Sequence, residues 1–143
     1  MTNLTREKIF AKLENYREYI SYLKKAKQEA TSQKKFTSDF HLFGSVERYL
    51  QLCTQIIIDV GHLIIIDSGD KRPEDNYEMV STLRQKKIIS KKTADNVTSM
   101  IGLRNLLVHE YGHIDRNKVY KILKENITDL DKFYKEVVAY LKK

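Results

Sequence analysis

Apolar residues recur along the chain at spacings of three and four, the period of a helix buried on one side. From Thr5 to about Ala30, Ile9, Leu13, Tyr16, Ile20 and Leu23 form one stripe, with Lys12, Arg17, Lys24, Lys25 and Lys27 opposite. Thr5 is the expected cap. Polar residues 31 to 35 break the pattern, and a second helix is expected to start near Thr37 or Ser38, whose hydroxyls can accept free backbone N–H groups. It runs to about Asp67. Because Val46, Leu50, Cys53, Ile56, Ile57, Val60, Leu63, Ile64 and Ile66 cover more than one stripe, this element should be buried on several sides at the centre of the fold.

The run from Ser68 to Pro73 combines Gly69 with a proline and charges, and reads as the main surface loop. A short helix is expected over Tyr77 to Gln85. Ser90 should cap the next one, with Ala94, Val97, Met100, Ile101, Leu103, Leu106 and Leu107 on its apolar face and its end at Gly112 at the latest. Asp115 should cap the last helical stretch, in which Val119, Ile122, Leu123, Ile127, Leu130, Phe133, Val137 and Leu141 keep the period, with a break near Asn126. No alternating strand pattern, hairpin turn or internal repeat is visible. The predicted architecture is all-α, an up-and-down bundle of about five helices in one domain over residues 1–143.

Composition narrows the classes. With 143 residues, five glycines and one proline, there is little material for sheet corners or linkers. One core is expected, burying roughly 70% of the unfolded surface. The longest apolar run, Ile56 to Ile66, carries Asp59, Gly61 and His62 and is about half a membrane span, so no membrane helix is expected. The first residues mix charges without an apolar stretch, and a cytoplasmic location follows as the expectation. Cys53, the one cysteine, reads as a small apolar core residue. A net charge of +7, gathered in pairs such as Lys24-Lys25, Lys34-Lys35, Lys86-Lys87 and Lys91-Lys92, suits phosphate backbones and equally an acidic protein partner.

The densest chemistry is the string from Arg104 to Asp115, with Arg104-Asn105, then His109, Tyr111 and Gly112. An arginine five places before a histidine is weak evidence alone, and both fit ordinary surface roles at a helix end, where a cation is favourable. The longer string is more specific. It resembles the R-x-x-x-x-H-x-Y signature of the HEPN superfamily, in particular its HepT branch of toxin ribonucleases. Val46 to Gln51 followed by Ile58 to Ile64 resembles that branch's second helix, and Val119 to Leu123 the segment after its motif.

The resemblance implies a HEPN-like homodimer and a metal-independent endoribonuclease without cofactor, acting on RNA with tRNA favoured. It further implies a type VII toxin–antitoxin pair with an MNT-type nucleotidyltransferase antitoxin, which neutralises the toxin by attaching AMP to the motif tyrosine, here Tyr111. Arg104 and His109 would be catalytic, with Asn105 and Tyr111 supporting.

The residues themselves are consistent with that chemistry. Five helical positions turn about 500°, leaving Arg104 and His109 roughly 140° apart. Either the helix end relaxes, or a second copy supplies the missing group across a two-fold axis. Metal-free RNA cleavage needs a base for the ribose 2′-OH, an acid for the leaving 5′-oxygen and a cation for the phosphorane. Two imidazoles and one guanidinium meet those needs. Asp59, inside an apolar helix, needs a partner, and a hydrogen bond to the motif would provide one. His41, His62 and His113 are expected to be structural or solvent-facing. Gly44-Ser45 lacks the acidic pair a nucleotidyltransferase needs, which favours the toxin over its modifying enzyme. The alternative is a non-catalytic helical accessory subunit that presents substrate to a nucleotidyltransferase.

Overall fold

In the computed structural model, backbone is described for residues 1–109 and 115–143, and side chains for residues 1–106 and 115–143. Seven helices are present among the described residues: α1 (Asn3–Glu29), α2 (Gln33–Ser38), α3 (Phe40–Asp67), α4 (Asn76–Gln85), α5 (Lys91–His109), α6 (Arg116–Glu125) and α7 (Ile127–Leu141). Two more helices than expected arise from two local features. The polar stretch after α1 closes a short turn of its own, capped by the Ser32 hydroxyl and pinned by buried Phe36. The expected break falls at Asn126, whose N–H closes α6 on Ile122 O at 2.9 Å, while its side-chain amide donates to Asp129 in the first turn of α7.

Caps lie close to where the sequence places them, with two corrections. Thr2, not Thr5, caps α1: its hydroxyl accepts the Thr5 N–H at 3.1 Å. Asp39 caps α3 through the Leu42 N–H, so Thr37 and Ser38 belong to α2. Where two acceptors compete, the one followed by the apolar register prevails. Ser90 accepts the Thr93 N–H at the start of α5, and Asp115 caps α6, as the sequence indicates.

At the centre is α3, in contact with α1, α2, α4, α5 and α6. By length and composition it could cross a membrane, but half of its most apolar window is buried against these neighbours, as in a core helix. Every expected stripe residue of α1, α6 and α7 is buried. Leu63 is half-buried, the Leu107 side chain lies outside the described residues, and two expected core positions are exposed. Ile66 is exposed at the end of α3 while Ile58 and Ile65 fill the interior, and Leu106 is exposed near the end of α5. Gly61 allows α4 to approach α3: a Cβ there would lie 2.3 Å from Met79 Sδ and 3.3 Å from Leu83 Cδ1. The core also holds Cys53, whose burial pushes its thiol up to about 12 and leaves it inert at neutral pH. Tyr16 donates its phenolic hydrogen to Leu130 O at 2.8 Å, tying α1 to α7 inside the core.

Candidate active site

The last turns of α5 carry the motif. Its earlier turns are fixed by buried Ala94, Val97, Met100, Ile101 and Leu103, so the rotation of the helix is set before Arg104 is reached. Arg104 and Asn105 are half-buried, and Leu106 beside them is 37% exposed. This places a cation and an amide at the margin of the core.

Arg104 is held by a chain of polar contacts across three helices. Its Nη2 donates to Gln55 Oε1 at 2.8 Å, Gln55 Nε2 donates to Asp59 Oδ1 at 2.9 Å, and Lys12 Nζ lies 3.5 Å from Asp59 Oδ2. Gln55 and Asp59 are four residues apart on α3, hence on one face, and the chain runs from α5 through α3 to α1. An arginine has five N–H donors in a planar fork. One is engaged with Gln55, which holds that edge of the guanidinium against α3 while other donors remain for a phosphate. Asp59 thus reaches the motif through Gln55 rather than directly, and Lys12 compensates its charge.

His109 closes α5, but its side chain lies outside the described residues, as do Tyr111, Gly112 and His113 altogether. Of the remaining histidines, His62 is structural, its Nε2 lying 3.0 Å from Asn76 Oδ1 between α3 and α4, and His41 is solvent-exposed against Phe40. Among the described residues, no three His, Cys, Asp or Glu side chains are grouped to hold a metal ion. Immediately after the motif, Arg116 at the start of α6 lies over the Phe43 ring at 3.8 Å, bringing the N-terminal half of α3 alongside the chain that leaves the motif.

The model of the family described as Ribonuclease HepT-like matches residues 16–137, which takes in the Arg104 relay from Gln55 onward together with the whole motif. The chain belongs to the HepT-like ribonuclease family. It is 31% identical over 141 residues to the tRNA nuclease HepT of Aphanizomenon flos-aquae, covering 99% of this chain and 95% of that protein. It is 27% identical over 117 residues to the mRNA nuclease HepT of Shewanella oneidensis, with 82% and 88% of the two chains covered. Its fold is that of the tri-AMPylated Shewanella oneidensis HEPN toxin solved in complex with an MNT antitoxin, with a TM-score of 0.84 at 24% identity over 97% of this chain and 99% of that one. The all-α, HEPN-like architecture expected from the sequence is therefore the architecture found.

In this HepT-like chain, Gln55 and Lys12 are the residues that sequence reasoning missed. Gln55 had a detectable signal, a polar side chain one turn before Asp59 and hence on the same helical face. Lys12 had none, being one of several lysines on the outer face of α1.

Proposed function

We propose that this chain is the toxin of a HEPN/MNT toxin–antitoxin pair, a homodimeric, metal-independent endoribonuclease of the cytoplasm that cleaves RNA, with tRNA the favoured substrate. Kinship with nucleases of known substrate supports the reaction class. The observation that carries the site assignment is Arg104, a guanidinium oriented at 2.8 Å by Gln55 inside the motif that ends in His109 and Tyr111.

The chemistry follows from the groups. One His109, as neutral imidazole, takes the proton of the ribose 2′-OH, whose oxygen attacks the adjacent phosphorus. The second His109, protonated and from the partner subunit, gives its proton to the departing 5′-oxygen as the P–O bond breaks, leaving a cyclic phosphate and a free 5′-hydroxyl. Arg104 stabilises the charge that gathers on the phosphorane oxygens, an interaction stronger in the transition state than in the ground state. Asn105 orients the imidazole or phosphate through its amide, and Tyr111 stacks on or hydrogen-bonds to a base. The exposure of Leu106 beside the motif supports a face that a second copy covers, which is how two imidazoles would meet one phosphate.

Regulation would use the same residues. AMP attached to Tyr111 by an MNT-type nucleotidyltransferase adds a negative phosphate and a bulky base next to His109, repelling RNA and filling its approach. Gly112 adds no side chain next to Tyr111 in the sequence. The test is cleavage of bulk tRNA in the presence of a chelator. Arg104→Ala and His109→Ala should each lower the rate by about 100- to 1,000-fold, the scale seen when a transition-state charge donor or an acid–base group is removed. Undiminished cleavage by both variants would remove the assignment, and absence of cleavage by the unmodified wild type would favour the accessory-subunit alternative.

A further inference from the structure

The corner between α4 and α5 lies at the far end of α5 from the motif. The helix has 19 residues. At its usual rise, Lys91 and His109 are about 27 Å apart along its axis. The chain leaves α4 through Lys86 and Lys87 and is anchored at once by buried Ile88 and Ile89. The Ile88 N–H donates to Leu83 O at 3.0 Å and the Lys87 N–H to Arg84 O at 2.9 Å, the closing pattern of a helix that turns through a left-handed residue. That residue is Lys87, with φ of 60°. A Cβ is disfavoured in this conformation, which usually selects glycine. The chain does place a glycine at Gly69, with φ of 79°. At the α4–α5 corner it keeps a lysine against that preference.

Charge gathers around this residue. Arg84, Lys86, Lys87, Lys91 and Lys92 are exposed on the corner, and Lys132 of α7 comes alongside Lys92. Of the carboxylates around the corner, Asp70 pairs with Lys86, Asp129 lies 3.6 Å from Lys132 and Glu136 accepts the Ser90 N–H at 3.2 Å, while Asp95, one turn along α5 from Lys91, forms no ion pair among the described residues. Among the described residues, Arg84, Lys87, Lys91 and Lys92 form no ion pair. Beside Arg84, Lys87 and Lys91 opens a shallow depression of about 490 Å³, whose other walls are Ser90, the Ile88-Ile89 edge and the Glu136 carboxylate that accepts the Ser90 N–H. The neighbouring Lys132 holds the pKa of the Lys92 ammonium below the ordinary lysine value. Like charges brought together in this way oppose stability of the free protein and are relieved by a polyanion.

We propose that this corner is a second RNA-binding surface, which grips the phosphate backbone of the substrate's body at a distance from the bond being cut. The assignment rests on the ribonuclease reading above and adds to it a substrate preference. Lysines act as point charges on phosphates and read no base edges, so the surface selects for size and fold rather than for sequence. A folded RNA can reach from the motif to the corner, and a trinucleotide, even fully extended, cannot.

Lys87 separates this role from a structural one. Lys87→Gly removes a charge while relieving the left-handed backbone, so its melting temperature should equal or exceed that of the wild type. This variant and the triple variant Lys87→Gly/Lys91→Gln/Lys92→Gln are compared with wild type for binding of fluorescent bulk tRNA and of a single-stranded trinucleotide, an oligonucleotide too short to span the distance, over a salt series. The triple variant should bind tRNA about tenfold more weakly, with the slope of log affinity against log salt shallower by about 2, while oligonucleotide binding stays within about twofold. Unchanged tRNA affinity and slope would overturn the proposal, as would equal losses on both RNAs. If RNA binding is intact and the triple variant instead fails to co-purify with a co-expressed MNT-type nucleotidyltransferase, the surface belongs to a protein partner and the proposal falls. Wild type that binds tRNA through this corner yet never cleaves it would sink the ribonuclease reading alone, because the binding comparison does not depend on turnover.

Discussion

The two halves of α5 differ in what they bury. From Ala94 to Leu103 the helix puts five apolar side chains into the core, none more than 5% exposed, and at about 1.5–3 kcal/mol for each large side chain this half is a main contributor to its attachment. From Arg104 onward the same helix offers a half-buried cation, a half-buried amide and an exposed leucine. The first half supplies rigidity and the second spends it on a guanidinium that would be costly at the core margin without Gln55, Asp59 and Lys12. On the proposed function, stability and chemistry are adjacent on one helix but carried by different residues, and they should respond separately to mutation.

Truncation in the buried half should have the largest effect on stability. Met100→Ala removes a side chain 1% exposed and should lower unfolding free energy by about 2–5 kcal/mol in urea denaturation, with the cleavage rate per folded molecule kept within about twofold at low temperature. A matching loss of rate in the folded protein would show that the two halves are not separable. A smaller effect, on the opposite side of the comparison, is expected at the relay. Gln55→Ala leaves Arg104 in place but frees its guanidinium to rotate, and kcat should fall about tenfold with KM little changed, since the lost order matters most in the transition state. Gln55→Glu, which can still accept from Arg104, should recover part of the loss. Equal kcat in all three proteins would reduce the relay to a surface contact.

Much of the fold was legible because it depends on local periodicity. The stripes of α1, α6 and α7, the many-sided burial of α3 and the caps at Ser90 and Asp115 need only the helical repeat and the chemistry of free N–H groups. The misplacements have a common cause. Ile66 and Leu106 continue an apolar pattern past the point where a neighbouring helix remains to cover it, and a sequence window does not contain the end of the neighbour. Thr5, Thr37 and Ser38 competed with Thr2 and Asp39 for the caps, and tertiary register decided between them. The motif residues Arg104, Asn105, His109 and Tyr111 were visible as a string, through resemblance. The partners of Arg104 were not, because Gln55 lies 49 positions away and its contact depends on how α3 and α5 cross. Asp59 was noticed as a charge in need of a partner, and the partner proved to be Lys12, with Gln55 between it and the motif.

In the proposed mechanism two subunits share one cleft, each giving an imidazole to the same phosphate. Mixed dimers with one wild-type subunit and one His109→Ala subunit, isolated by differential tagging and assayed on bulk tRNA in chelator, test it most directly. A shared cleft predicts that one defective subunit brings the rate down to nearly that of the doubly substituted dimer. Retention of half the wild-type rate, as two independent sites would give, would contradict it.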